Sequence, residues 1–530
     1  MKKITKLSRA AILVSVSFGF NKIIAILRQL IIARQFGLSS ELDVFNVANN
    51  IPDLLYALIS GGALAVAIIP VMTEVMNKQD RDAAWRVFSQ VANIAFMTTL
   101  VLSLLVAIFA WPLVQHPLGI APGFDQSQQS LVVRLMRLDL IGTIIFSMAG
   151  LLIAGLQANQ HFLMPAIGPI LYNVGQIFGA LVLSPATGYT FRGFTLPAFG
   201  LGIDGLVFGV LIGSALYFII QIPPLIKHGF KWTPGFNFRD PDVKKILIML
   251  VPRLAAMFFY QLTFIARDNL ASHLELGSVT ALTYGWMILQ VPETLIGTAI
   301  GTALLPTLSE QIAKGEKAKF VKTIQNVSRI LIALALPSAI VLAAVLEPFL
   351  SFAFGFDASG TQLMLTTTRA FLFGLLGHVF IELGARIFFA QQNAHTPLIG
   401  SGINLVLFIG AGVLLDAYLG APGIAIADAI AFSGQAVFLI IFYKRQRTKF
   451  RLENQEENAG NRLVLPDKPQ QNTYLRTIAG SGIGALIGML SLQMLPNSLH
   501  VLIRGTIAAF LGILIVIPFI FKEIKLLFRL

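Results

Sequence analysis

Apolar runs close to 20 residues long, broken by short polar intervals, recur along the whole chain. Wound at 1.5 Å per residue, a helix of that length crosses the ~30 Å hydrocarbon core of a bilayer. Fourteen such runs can be drawn, over residues 9–35, 42–76, 84–112, 130–156, 162–183, 200–226, 242–272, 278–312, 320–350, 362–389, 397–415, 423–443, 474–494 and 500–521. They do not alternate apolar and polar residues as barrel strands do. The pattern therefore predicts an all-α polytopic membrane protein of about 14 transmembrane helices.

The second run departs from the others. It carries Asp43, Asn46, Asn50 and Asp53, spaced by three, four and three residues, which places them on one helix face. Pro52 is expected to break the backbone ladder there, and the small-residue stretch Gly61-Gly62-Ala63 precedes Pro70 and Glu74. An acidic residue at mid-membrane depth costs about 2.5–3.5 kcal/mol on insertion scales. The stripe is therefore expected to face a bundle interior or a water-filled cavity. Hydrogen-bonded glue between helices is the alternative.

Charge fixes the expected orientation. The 530 residues are 56% hydrophobic and 12% charged, against about 25% charged in soluble domains. The net charge of +13 does not point to nucleic acid, because the basic residues cluster in short loops as the positive-inside pattern requires. Lys78, Arg81 and Arg86 stand in one such loop, Lys227, Lys231, Arg239, Lys244 and Lys245 in another, and Lys314, Lys317, Lys319 and Lys322 in a third. Opposite loops carry almost nothing basic, Arg192 excepted. Both termini are then cytoplasmic, and the basic start Met1–Arg9 leads into a retained first span rather than a cleaved signal. The polar segment 447–473 reads as a cytoplasmic linker. There is no cysteine, the seven histidines are scattered, and no Walker, HExxH or Ser-His-Asp pattern occurs, so no metal or cofactor is expected.

The chain also repeats itself. GGALAVAIIPVMTE at 61–74 matches GTAIGTALLPTLSE at 297–310 at an offset of 236, through Gly61/Gly297, Ala63/Ala299, Pro70/Pro306 and Glu74/Glu310. Pro52 and Pro292 precede the two cores. A second echo pairs His161, Pro165 and Asn173 with His395, Pro397 and Asn404. Each half holds six spans, an even number, so the repeat is parallel, as in transporters whose halves rock about a central site.

Cations inside the apolar runs are the remaining candidates. Lys22 and Arg28 lie deep in the first run, while Arg34 near its end can snorkel. The seventh run carries Arg253, Tyr260 and Arg267 at sevenfold spacing, with Asp268 placed to neutralise Arg267. Arg253 and Arg267 are about 21 Å apart along a helix and cannot share one phosphate. Arg253 is the expected head-group contact, Arg267 the expected gate or structural pair. Glu382 and Arg386 make an i,i+4 ion pair, and Arg134 and Arg137, one turn apart with Asp139 beside them, read either as an interfacial cluster or as part of the charged interior. Buried cations suit an anionic ligand, because arginine matches phosphate oxygens with two parallel hydrogen bonds.

The stretch ILRQLIIARQFGLSSELDVFNVANNIPDLL, followed by GGAL and IIPVMTE, resembles the first two spans of the MviN/MurJ lipid II flippases. APGF at 121–124, MPAIGPILYN at 164–173, GTALLPTLSE at 301–310 and AQQNAHTP at 390–397 are similar to the same family, so the resemblance runs through the first twelve spans in order. It implies the multidrug/oligosaccharidyl-lipid/polysaccharide exporter architecture, with two pseudo-symmetric six-helix lobes (1–236 and 237–446) around a central cavity. Residues 474–530 would then form two C-terminal helices with a groove for the lipid tail. By motif, the family's cavity arginine falls on Arg28, the preceding basic position on Lys22 and its acidic residue on Asp43. Two further family arginines fall on Tyr56 and Met287, and Arg253 and Arg267 on the neighbouring span could restore the charge.

The expected function is a flippase carrying lipid II from the inner to the outer leaflet of a bacterial inner membrane, by alternating access. Another polyprenyl-linked oligosaccharide is an open alternative as substrate. A drug or cation antiporter of the same superfold would use acidic groups such as Asp43, Asp53 and Glu293. A membrane glycosyltransferase would need larger outer loops, and a scaffold would not retain buried charges. Expected partners are lipid II or a similar polyprenyl-pyrophosphate glycolipid, membrane lipids and the cell-wall synthesis machinery.

Overall fold

The computed structural model describes residues 6–59, 63–191, 193–453, 468–496 and 498–527. The helices, in chain order, are α1 (Lys6–Phe36), α2 (Ser40–Ile59), α3 (Ala63–Lys78), α4 (Arg81–Ile108), α5 (Ala110–Gln115), α6 (Gln126–Ala158), α7 (Leu163–Phe178), α8 (Asp204–Ile219), α9 (Ile222–Lys227) and α10 (Pro241–Ala271). They continue with α11 (Ser278–Glu293), α12 (Ala299–Ala313), α13 (Lys317–Val345), α14 (Glu347–Phe354), α15 (Ala358–Phe373), α16 (Leu375–Ala390), α17 (His395–Leu419), α18 (Ala421–Glu453), α19 (Lys468–Met494) and α20 (Val501–Leu527). A π-helical turn, Gly179–Leu183, extends α7, and another, Thr294–Thr298, joins α11 to α12. Two-residue strands, β1 (Thr190–Phe191) and β2 (Phe194–Thr195), pair antiparallel with Thr190 opposite Thr195.

Among the described residues, eleven helical segments are long and apolar enough to cross a membrane. The three expected spans outside that set are α1, the α2–α3 pair and α10. They are also the ones that carry Lys22, Arg28, Asp43, Asp53, Arg253, Arg267 and Asp268. Charge in such a helix belongs on a protein-facing or water-facing side.

Two expectations change in detail. Pro52 does not interrupt α2, which runs unbroken past it to Ile59; neighbouring packing in a bundle tolerates the missing N–H. The segment read as a linker, 447–473, is helical at both ends, since α18 reaches Glu453 and α19 begins at Lys468; residues 454–467 lie outside the described residues, as does Arg192.

Packing gathers the chain into two compact units, Met1–Gly277 and Ser278–Leu530. In the first, Trp85, Phe88, Ile68 and Met72 anchor an apolar core. Trp85, Phe88 and Phe230 meet edge to face at 5.1–5.6 Å, a geometry that adds to their burial. Helices α7 and α8 approach backbone to backbone: a Cβ on Gly175 would stand 2.4 Å from the Gly213 Cα. Small residues at such spacings permit close helix packing where the surrounding lipid gives no hydrophobic drive. A reciprocal capping box at Asp125 and Gln128 starts α6, satisfying donors that the first turn leaves open. Within the second unit, α19 and α20 pack on α13. The buried Glu523 receives Arg329 at 2.8 Å and Arg476 at 2.6 Å and accepts from the Thr473 hydroxyl at 3.0 Å. Large apolar side chains such as Val406, Leu414 and Phe510 are exposed, as a lipid-facing surface requires.

The internal repeat has structural counterparts. Pro70 lies inside α3 and Pro306 inside α12. Glu74 pairs with Lys78 at 2.7 Å, and Glu310 pairs with Lys314 one turn on in the same way. Gln160 and Gln392 are the non-glycine residues with positive φ among those described, at 57° and 58°, and each lies two residues past the end of a helix, α6 and α16.

Candidate functional site

The interior of the first unit brings six helices together around charge. Arg28 on α1 and Asp53 on α2 attract one another. Asp53 is exposed, so it borders open space rather than packed side chains, and its carbonyl accepts from Gln261 at 3.5 Å. Tyr56, three residues on, meets Phe146 of α6 in a tilted contact at 4.4 Å, and Phe146 in turn meets Tyr172 of α7 at 4.6 Å and Tyr217 of α8 at 4.7 Å. Asp139 on α6 is buried, and Tyr172 is the electrostatic neighbour of Asp139, Asp53, Arg28 and Tyr56. Asn173 fastens α1 to this group by donating to Asn21 at 2.9 Å. Lys22 is exposed, about 9 Å along α1 from Arg28 at the helical rise. The position where the resembling family has a further arginine is thus occupied by Tyr56 as part of an aromatic cluster. A tyrosine buries its ring there without adding charge.

A second group links the start of α2 to the end of α10. Arg267 holds Asp268 through Nε and Nη2, both at 2.9 Å, and lies 5.0 Å from the centroid of the Phe264 ring. Asp268 is fully buried and also accepts a hydrogen bond from the Asn50 amide. Asp43, equally buried, accepts from the Gly277 N–H at 2.6 Å. At φ +85° a side chain would be strained, and a Cβ would stand 2.7 Å from that of Leu38, so glycine is required there. Asn269 reaches the carbonyls of Pro117 and Gly119, and the Gly123 N–H donates to Ser272 Oγ at 3.1 Å. Breaking a buried, hydrogen-bonded ion pair by removing one partner costs about 3–5 kcal/mol, so this end of α10 is firmly fastened.

The structure therefore divides the candidate residues. Asp43 and Asn50 fasten helices, and Asn46 is half-buried between them along α2. Arg28 is an electrostatic neighbour of Asp53, and Arg267 is occupied by Asp268. Arg253 belongs to α10, but its side chain lies outside the described residues. Of the interfacial trio, Arg134 pairs with Asp204 at 3.1 Å and Arg137 donates to the Ala107 carbonyl at 2.9 Å, whereas Asp139 turns inward. Glu382 and Arg386 form an ion pair at 2.8 Å. Asp139 and Tyr172 escaped attention as site residues. The available signal was Asp139 itself, an acid inside an apolar run five residues beyond Arg134.

The family model described as "Lipid II flippase MurJ" matches residues 32–465. The lipid II flippase MurJ of Burkholderia cenocepacia is 28% identical over 451 residues, covering 83% of this chain and 84% of the relative. Among solved structures, a lipid II flippase MurJ in an inward closed conformation superposes with a TM-score of 0.76 at 21% identity, covering 97% of this chain and all of that one. An inward-facing multidrug resistance transporter of the MATE family superposes at 0.66 with 14% identity, covering 84% of this chain and 99% of that one. At those identities the structural matches speak for the fold.

Proposed function

The chain belongs to the MurJ family of lipid II flippases, and from that premise we propose that it carries a lipid-linked peptidoglycan precursor from the inner to the outer leaflet of a bacterial inner membrane by alternating access. The family match across residues 32–465 carries this reading, and it favours lipid II over drug or cation substrates. The physical task is to move a pyrophosphate-sugar head through about 30 Å of hydrocarbon while its tail stays in lipid.

In this reading Arg28 and Lys22 receive the pyrophosphate, whose oxygens a guanidinium binds with charge-assisted hydrogen bonds. Asp53 holds Arg28 when no head group is present and gives it up when one arrives. Arg253 adds a cation from α10. The lobes that rock are 1–236 and 237–446, with both termini cytoplasmic, and residues 474–530 hold the tail. On that assignment α10 opens the second lobe, and its fastening to Asp43 and Asn50 is a clasp that keeps the outer side shut. Alternating access then requires the Asn50–Asp268 and Asp43–Gly277 bonds to break when the cavity turns outward. No covalent step is involved.

Native mass spectrometry of the purified protein with added lipid II tests the site. The parent retains the lipid, and Arg28→Ala weakens binding by roughly 10–100-fold, the worth of hydrogen bonds to a charged group. Equal retention by parent and variant would remove Arg28 from the site.

A further inference from the structure

Phe146 of α6 is the centre of an aromatic cluster drawn from four helices. Tyr56 of α2, Tyr172 of α7 and Tyr217 of α8 each meet it at 4.4–4.7 Å in tilted contacts. Tyr217 forms the back of the cluster. It is 5% exposed, and its ring packs so closely on α7 that a Cβ on Gly168 would stand 2.4 Å from it. Tyr56, Phe146 and Tyr172 are only half-buried. Two carboxylates accompany these rings. Asp53, one turn before Tyr56 on α2, is exposed, whereas Asp139, two turns before Phe146 on α6, is 5% exposed. The two acids are electrostatic neighbours of one another and of Tyr172. Among the described residues no hydrogen bond or ion pair reaches the Asp139 carboxylate; Thr143 donates to its backbone carbonyl at 3.2 Å instead.

We infer that this cluster is a pyranose-binding subsite, which seats a sugar ring of the head group while Arg28 and Lys22 take its pyrophosphate. A pyranose presents an apolar C–H face and a rim of hydroxyls. The electron-rich face of an aromatic ring suits the first. Carboxylates accept from the second, in charge-assisted hydrogen bonds. A buried acid without a donor is costly, and sugar hydroxyls are donors of the kind Asp139 lacks. A pocket that is mostly apolar, with a few polar groups to fix orientation, is the usual form of a small-molecule site.

Other ligand chemistries suit the cluster less well. Arg28 beside Asp53 opposes an organic cation, and the two acids oppose a second phosphate. What remains is a neutral, hydroxyl-rich group with an apolar face. A cluster that served packing alone would bury all its rings and would not hold an unpartnered acid at membrane depth. Tyr56 also stands where the resembling family has an arginine. At that position this chain offers a ring face in place of a charge, so it reads its head group there through sugar rather than through phosphate.

This inference rests on the lipid II reading of the same cavity, and one experiment separates the two. The full chain is offered lipid II and the sugar-free polyprenyl pyrophosphate in competition, and the retained lipid is read by native mass spectrometry. The parent is expected to prefer lipid II. Tyr56→Leu should lower lipid II retention by about two- to tenfold, the worth of one aromatic contact, and leave retention of the sugar-free lipid unchanged. Tyr56→Phe, which keeps the ring, should keep the preference. Asp139→Asn, isosteric and uncharged, should lower lipid II retention by about fivefold, the difference between a charge-assisted and a neutral hydrogen bond, again without effect on the sugar-free lipid. Arg28→Ala should weaken both lipids alike. A parent that retains neither lipid would overturn the proposed function. A parent that retains both equally would overturn the subsite alone, as would a loss of both lipids in the same proportion in Tyr56→Leu. Should Tyr56→Leu fail to insert, Asp139→Asn decides: an unchanged preference there would overturn the subsite.

Discussion

The α2–α3 segment and its repeat counterpart, α11 with α12, show how one architecture came to carry two chemistries. At the offset of 236 that aligns Pro70 with Pro306 and the two Glu–Lys pairs (Pro52 and Pro292 align instead at 240, where Asp53 falls opposite Glu293), Asp43, Asn46, Asn50 and Asp53 fall opposite Val279, Leu282, Trp286 and Leu289. The first set is ionisable or polar: Asn50 donates to Asp268 of α10, Asp43 accepts from Gly277 beyond that helix, Asn46 is half-buried and Asp53 is exposed. The second is apolar and buried, none of its members more than 9% exposed. What the halves share is backbone and helix-end geometry: proline inside the helix, the i,i+4 Glu–Lys pair and the paired positive-φ glutamines. What differs is the side-chain face. In the second half, ionisable residues appear on other helices, as where His378 of α16 meets Asp428 of α18 at 3.0 Å.

The difference predicts how each half fails. The largest effect is expected for Asp268→Asn, which leaves the buried Arg267 without its carboxylate at a cost of about 3–5 kcal/mol; membrane accumulation should fall sharply, read by immunoblot of membrane fractions. Leu289→Asp puts an acid at the apolar counterpart of Asp53, costing about 2.5–3.5 kcal/mol on insertion scales, and should also act through accumulation. Arg28→Ala, by contrast, should accumulate normally and lose transport by roughly 10–100-fold. A mutant present at low level would mark Arg28 as a structural partner of Asp53. In this cysteine-free chain, Asp53→Cys should react with a polar maleimide and Leu289→Cys should not; equal labelling would erase the distinction between the halves. Glu310→Gln should change least, since its pair with Lys314 is exposed and such surface pairs contribute little.

Much of the fold was legible because it depends on local periodicity. The apolar runs locate the helices, and the repeat locates equivalent turns. The Glu382–Arg386 pair follows from spacing along one helix. The remainder depends on helix approach, which linear spacing does not encode. Asp139 looked interfacial beside Arg134 and Arg137, because only the packing of α6 against α2 and α8 decides which way each side chain turns. His378 and Asp428 are fifty residues apart, and what joins them is the close approach allowed by Gly374 and Gly377, where a Cβ would stand 2.7 Å from the Ala429 Cα and 2.8 Å from the Ser433 backbone nitrogen. Tyr56 read as a missing cation until its contact with Phe146 gave it a place in an aromatic cluster.

The central claim is that this chain moves lipid II, and complementation tests it most directly. Bacteria depleted of their own lipid II flippase are supplied with this chain, with membrane levels checked in parallel. The account predicts restored growth with the parent and none with Arg28→Ala at equal level. A parent that accumulates in the membrane at normal level and still leaves the cells unable to grow would contradict it.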